Sequence, residues 1–210
     1  MPTTDLDIVN AACAMLAVEP LQSLDDELPG GKAVQLLYRP VVDFCLTLAP
    51  WSFARRTRQC SRLASETSAL GFAFVHQLPS DRIGLPDRLI VEYGDRTGRT
   101  LQAFDYDDNG RVHSDAEIVW AQYTARVAPN LWHPAFVTAV IHAVAAAFAE
   151  PLTGNSGLQE ALHAKAFGTP SESWRGGVMR AALQADSRAT PARTLPAWSN
   201  PLRNAWGGGR

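Results

Sequence analysis

A long uncharged stretch constrains this fold more than any other feature of the sequence. Between Val127 and Ala149 there is no Asp, Glu, Lys or Arg. From Pro134 onward, alanines alternate with a ridge of larger apolar residues at helical spacing: Phe136, Val140, Val144 and Phe148. A helix that is apolar nearly all round is buried on most sides. Its length to Ala149, about 24 Å at 1.5 Å per residue, is shorter than the hydrocarbon core of a bilayer. We therefore expect a core helix and no membrane contact.

Helical patterns on both sides of this stretch predict a helical bundle formed by residues 1–51 and 128–186. Thr4 is the expected N-cap of a first helix, and a second helix is predicted from Lys32, with its end at Pro50. Two weaker patterns follow the uncharged stretch, "GLQEALHAKAF" and "SESWRGGVMRAALQAD". The pair of glycines weakens the second of these.

The segment 52–127 has the pattern of short strands. Its apolar runs contain β-forming residues and are separated by Gly, Pro, Asp and Asn, which is typical of a small antiparallel unit. Asn109-Gly110, between "LQAFDY" and "RVHSD", is a strong hairpin signal. The predicted fold class is therefore α+β: mainly a helical bundle with this β unit inserted.

Residues 187–210 differ from both of these parts. Three evenly spaced prolines argue against a helix, and two tryptophans argue against a solvated linker; they are Pro191, Pro196, Pro201, Trp198 and Trp206. We expect an extended C-terminal arm that docks on a partner. A disordered tail that happens to contain tryptophans is the alternative.

Charge is unevenly distributed along a chain whose formal net charge is only −2. Residues 1–31 contain six acids and no Lys or Arg, whereas residues 187–210 contain four arginines and no acid. This polarity suits head-to-tail contacts between copies of the chain. Chance, with both ends solvated, explains it equally well.

The acidic segment "FDYDDNG" is the strongest candidate for chemistry. It fits the first half of a calcium loop, but Ala116 stands where the bidentate Glu is required, so a hairpin turn is the favoured interpretation. The carboxylates between 105 and 117 also leave open a carbohydrate-active hydrolase, although no spacing singles out a pair; they are Asp105, Asp107, Asp115 and Glu117.

Other catalytic and metal signatures do not occur in the sequence. There is no G-x-S-x-G motif and no pair of histidines at i, i+4. The three cysteines have no metal-ligand spacing and are expected to be small buried hydrophobic residues; they are Cys13, Cys45 and Cys60. We therefore expect no enzyme, no metal and no cofactor.

The stretch "LAPWSFARRTR" places aromatic residues directly before arginines. Such a set can form a nucleic-acid site, with rings that stack on bases and guanidinium groups that bind phosphates. The chain is not basic overall, however, so a buried corner is favoured for Trp51 and Phe53. A DNA-binding accessory protein that uses Arg55, Arg56 and Arg58 is a third possibility.

The order of these features resembles the head-to-tail adaptor family of tailed phages and gene transfer agents, the group that includes tail tubular protein A. The resemblance covers about residues 5–186. Its most specific pieces are "WSFA" at 51–54, "LPSD" at 78–81, and Trp132, Pro134 and Phe136 leading into the alanine-rich helix.

The resemblance implies a structural protein of the virion, assembled in the host cytoplasm. Such adaptors form a ring, commonly of twelve copies, between the portal protein and a downstream tail or stopper protein, and double-stranded DNA passes through the central channel. Trp198, Leu202 and Trp206 would then dock on the portal. Trp51, Phe53 and Phe136 would be hinge and core residues, and Arg55, Arg56 and Arg58 would supply channel or interface charge.

Overall fold

The computed structural model describes residues 4–25, 29–92 and 98–189. It is an α+β fold, as predicted, with five α-helices and eight short strands in these residues. The helices are α1 (Asp5–Met15), α2 (Pro29–Thr47), α3 (Pro134–Thr153), α4 (Ser156–Phe167) and α5 (Gly177–Ala189). The strands are β1 (Arg55–Gln59), β2 (Ser61–Arg62), β3 (Phe74–Gln77), β4 (Arg88–Val91), β5 (Arg99–Thr100), β6 (Phe104–Tyr106), β7 (Val112–Ser114) and β8 (Trp120–Thr124).

Helix α3 is the centre of the helical part, since α1, α2, α4 and α5 all contact it. The ridge predicted from the uncharged stretch is fully buried, from Phe136 to Phe148. The helix extends beyond the uncharged stretch, through Pro151 to Thr153. Its true length, about 30 Å, is sufficient to cross a bilayer, but 56% of its most apolar window is buried inside the fold. Burial, and not length, identifies it as a core helix.

The first helix begins as the sequence predicts. The Thr4 side chain accepts a hydrogen bond from the backbone N–H of Asp7, and the Asp7 carboxylate accepts one from the backbone N–H of Thr4. This reciprocal capping box satisfies two N–H groups that would otherwise be without partners. The helix then presents a buried face consisting of Ile8, Val9, Ala12 and Cys13.

Two predicted helix starts are wrong. Helix α2 begins at Pro29, three residues earlier than predicted; it ends at Thr47, just before the predicted stop at Pro50. The last predicted helix begins only at Gly177, because a short 3₁₀ turn occupies Pro170–Glu172. Gly177 has φ = 50°, and a Cβ there would lie 2.3 Å from the carbonyl oxygen of Lys165. This close approach of two backbones favours glycine and fixes where α5 starts.

The β part consists of two four-stranded antiparallel sheets, ordered β1-β8-β4-β5 and β2-β3-β7-β6. The predicted hairpin is confirmed, since β6 pairs with β7 across the Asn109-Gly110 turn. Gly110 has φ = 68°, as the turn requires. A small core between the sheets includes Val112, Val119 and Tyr123. The three cysteines are free and buried, as predicted.

A buried histidine makes the stability of the β part depend on pH. The side chain of His76 is fully buried on β3, and its Nε2 lies 2.9 Å from the carbonyl oxygen of Ala116. Nε2 must therefore carry the proton, which leaves Nδ1 without a partner. Burial lowers the pKa of His76 below its ordinary 6.5, with smaller effects from nearby groups, including Arg62 and His113.

We expect the free energy of unfolding to fall as the pH drops below about 6.5. The unfolded chain gains a proton on His76 there, whereas the folded chain excludes it. His76→Asn should flatten this part of the pH profile in urea titrations from pH 7.5 to 5. An unchanged slope would show that His76 is not the titrating group. The matched control is His142→Asn, because His142 is more exposed than His76.

Candidate functional site

An aromatic cluster joins α2, α3 and β1. Trp51 and Phe136 are fully buried, with ring centroids 4.6 Å apart. Phe53 is partly buried; it stacks on Trp51, with ring centroids 5.8 Å apart, and meets Phe136 at a tilt, with centroids 5.1 Å apart. The indole N–H of Trp51 donates to the carbonyl oxygen of Cys45 at 3.0 Å. These contacts fix the corner at which the chain leaves the helices and enters the sheet.

The sequence pieces that carry the resemblance converge on this corner. The backbone N–H of Ala125 donates to the carbonyl oxygen of Ala54 at 2.9 Å. The backbone N–H of Arg126 donates to the backbone carbonyl oxygen of Asp81 at 3.3 Å. The ring of Trp132 packs edge-on against Phe136 at 5.2 Å. Residues 51–54, 78–81 and 132–136 are therefore neighbours in space, although they are far apart in the sequence. We call this set of contacts the helix–sheet junction.

The arginines after Trp51 do not share one surface. Strand β1 lies at the edge of its sheet, and the alternation of side chains puts Arg56 and Arg58 on one face and Arg55 on the other. Arg55 donates to the carbonyl oxygen of Pro50 at 2.7 Å, and Arg58 lies 3.7 Å from the carboxylate of Asp81. Arg55 is thus hydrogen-bonded at the junction and Arg58 forms a surface ion pair there, while both Arg56 and Arg58 are exposed.

Three of the acids between 105 and 117 have structural partners. The carboxylate of Asp107 accepts backbone hydrogen bonds from Asn109 (2.9 Å) and Arg111 (2.8 Å), closing the hairpin. Asp115 accepts from the N–H of Ala73, and Glu117 pairs with Arg62. The backbone hydrogen bonds that Asp107 accepts, above all the one from Arg111, lower the pKa of its carboxyl group. The hydrolase alternative gains no support from this arrangement, because these three carboxylates are engaged in structural contacts.

Asp107 should therefore matter for stability and not for chemistry. We expect Asp107→Ala to lower the midpoint of urea unfolding, because two backbone N–H groups lose their acceptor. Asp105→Asn, on an exposed neighbouring position, should leave the midpoint unchanged. Urea titrations followed by circular dichroism make the comparison. Equal midpoints for the two variants would contradict a structural role for Asp107.

A concave apolar surface lies between α2 and α4, above α3. We call it the α2–α4 groove; its volume is about 770 Å³. Helix α3 supplies small residues to its floor, and the two walls come from α2 and from α4 with the turn that follows. The lining residues are Pro40, Val41, Phe44, Ala143, Ala146, Ala147, Gln159, Glu160, His163, Ala164, Phe167, Gly168, Thr169 and Pro170.

Aromatic rings surround one end of the groove. Phe44 is 40% exposed and Trp174 is 49% exposed, with ring centroids 5.9 Å apart. Both rings also contact Phe167, and the ring of His163 lies 4.8 Å from that of Trp174. Large apolar side chains left half exposed in a concave surface are typical of a docking site for another segment of polypeptide.

An unusual backbone conformation positions Trp174. Ser173 and Trp174 both have positive φ angles, 51° and 65°. The left-handed region is disfavoured for a bulky side chain, so the surrounding structure must hold it there. Residues in such conformations concentrate at functional sites. The strained turn keeps the indole at the rim of the groove.

The sequence did not point to this groove. Phe44 is not among the residues that the sequence singles out, and Trp174 falls within a predicted helix that does not form there. The only signal was the Gly176-Gly177 pair after Trp174, which predicts a turn. The predicted docking residues Trp198, Leu202 and Trp206 lie outside the described residues. Within the part that the structure describes, no group of three His, Cys, Asp or Glu side chains could hold a metal ion.

No protein-family model matches this sequence, and no curated protein matches it significantly.

Proposed function

We propose that this protein is a structural head-to-tail adaptor of a phage or gene-transfer particle. Copies of the chain, twelve by analogy with the family that it resembles, would form a ring between the portal protein and a downstream tail or stopper protein. Double-stranded DNA would pass through the central channel. The protein would be assembled in the host cytoplasm and act at the head-to-tail junction of the virion, without catalysis.

The helix–sheet junction is the observation that carries this proposal. The three most specific pieces of the resemblance, at 51–54, 78–81 and 132–136, lie in one contact network. We expect the specific motifs of one family to lie together in space, because they build the same structural joint. Unrelated short matches would be scattered over the fold.

The parts of the fold acquire roles within this proposal. Helices α1–α5 form the helical bundle of the adaptor, and the two sheets are its inserted β unit. Residues 190–210 would form the arm that reaches the portal; residues 187–189, which the sequence places in the arm, belong to α5. A ring requires two different surfaces that meet after a fixed rotation. The opposite charges of the two ends of the chain suit such a contact.

The charge of the chain suits a channel that DNA passes through better than a protein that binds DNA tightly. Tight binding of double-stranded DNA relies on many Lys and Arg contacts to phosphates. This chain has a net charge of −2, and of the three arginines on β1 only Arg56 has neither a hydrogen bond nor an ion pair described above. A channel through which DNA slides requires weak contacts of this kind.

The test is assembly of particles without this protein. We expect DNA-filled heads and free tails to accumulate separately, and the full chain supplied in trans to restore joined particles, as seen by electron microscopy. Complementation with Asp105→Asn should be equally effective, because that carboxylate has no role in the proposal. Joined, infective particles formed in the absence of the protein would contradict the proposed function.

A further inference from the structure

The α2–α4 groove is an apolar surface that no described residue covers. Fourteen residues line it, and only one of them, Glu160, carries a full charge at neutral pH. The rim presents Phe44 and Trp174 half exposed. A concave surface of about 770 Å³ has the size of a site that buries several side chains. Its chemistry suits a segment that is apolar, aromatic and uncharged or basic.

Residues 190–210 have the matching composition. The core of this segment, "LPAWSNPL" at 195–202, combines two leucines, two prolines and Trp198. Proline-rich segments recognise grooves lined by aromatic rings, because a chain with fixed φ angles loses little entropy when it docks. The segment contains Arg193, Arg203 and Arg210 but no acid, which complements the single acid of the groove.

The segment is also tethered beside the groove. It follows Ala189, the last residue of α5, and α5 packs against α3 and α4. Asp186, in the last turn of α5, accepts hydrogen bonds from the backbone N–H (3.0 Å) and hydroxyl (2.6 Å) of Ser52. The end of α5 therefore lies close to the end of α2, the helix that carries Phe44. Trp198 is the ninth residue after Ala189, and an extended chain of nine residues reaches about 30 Å.

We propose that residues 190–210 bind in the α2–α4 groove of the same chain, with Trp198 inserted among the aromatic rings at the rim. The short tether gives the segment an effective concentration in the millimolar range. At micromolar protein, the groove therefore binds its own segment in preference to that of a second copy. This inference concerns the free subunit and does not depend on the proposed function.

Disulfide trapping in the full-length chain tests this. Ala164→Cys, on the exposed α4 wall of the groove, is combined with Ser199→Cys beside Trp198. The control combines Ser199→Cys with Ala181→Cys, exposed on α5, closer to the segment along the chain but outside the groove. The native cysteines are buried, and burial raises the pKa of Cys45 to about 12 and of Cys60 to about 11, so they remain unreactive.

We expect the Ala164 pair to form an intramolecular disulfide about tenfold faster than the Ala181 pair, as followed by mass spectrometry under mild oxidation. Adding Trp198→Ala should reduce that rate to the control value. Equal rates for the two pairs would overturn the proposal. A disulfide that forms mainly between two chains would also overturn it, because the groove would then hold the segment of a second copy.

Discussion

Trp51→Ala is expected to destabilise the protein by about 3–5 kcal/mol, the range for removing a large buried aromatic side chain. The indole is fully buried at the helix–sheet junction, in contact with Phe53 and Phe136. Its loss leaves a cavity and removes the hydrogen bond to the carbonyl oxygen of Cys45. Since small domains have only about 5–15 kcal/mol of total stability, the variant should be partly unfolded near physiological temperature.

Trp174→Ala is the matched control, because it removes the same side chain from a site where it is 49% exposed. We expect a cost of no more than about 1 kcal/mol there. Thermal unfolding followed by circular dichroism measures both variants. Similar losses for Trp51→Ala and Trp174→Ala would show that the junction is not the structural centre we describe.

The second large effect concerns the C-terminal arm. The double variant Trp198→Ala, Trp206→Ala should weaken binding to the portal protein by about 1,000-fold, since tryptophans at the centre of an interface each contribute about 2 kcal/mol and two such losses add to about 4 kcal/mol. The two residues follow α5, so residues 4–189 should remain folded in the double variant. Binding of the labelled chain to purified portal measures the loss.

Leu131→Ala is the control for this experiment, because Leu131 is apolar and 54% exposed but lies outside the arm. It should bind the portal as the unaltered chain does. Full portal binding by the double tryptophan variant would refute arm docking. Equal losses for the Leu131 and tryptophan variants would place the portal contact elsewhere on the subunit.

The sequence predicted those parts of the fold that depend on local patterns. The ridge from Phe136 to Phe148 identified a core helix because burial on all sides leaves a strong one-dimensional signal. Asn109-Gly110 identified the hairpin because few other residues adopt its backbone angles. Thr4 identified the start of α1 because its capping contacts are only three residues apart.

The groove could not be predicted in the same way. Periodicity tells which residues of a helix face the core, but not where two helices leave a gap. Phe44 lines the groove because α2 and α4 are separated above the alanines of α3, which depends on the packing of three helices. Trp174 lies at the rim because of two consecutive positive φ angles, and sequence propensity predicts the opposite for so bulky a residue.

The ends of helices were the least predictable features for a related reason. Helix α2 begins at Pro29 although two glycines of low helix propensity follow directly. Helix α5 begins at Gly177 because its backbone closely approaches that of Lys165, a contact between distant residues. Neither circumstance can be inferred from the adjacent sequence.

The mass of the complex with the portal tests the adaptor proposal most directly. The portal protein of the same genome is measured by light scattering after size exclusion, alone and mixed with this protein, and the same binding is measured on DNA-filled heads. The adaptor proposal predicts that each portal gains a fixed ring of subunits, twelve copies by family analogy. A portal that gains no subunits, both free and in heads, would contradict it.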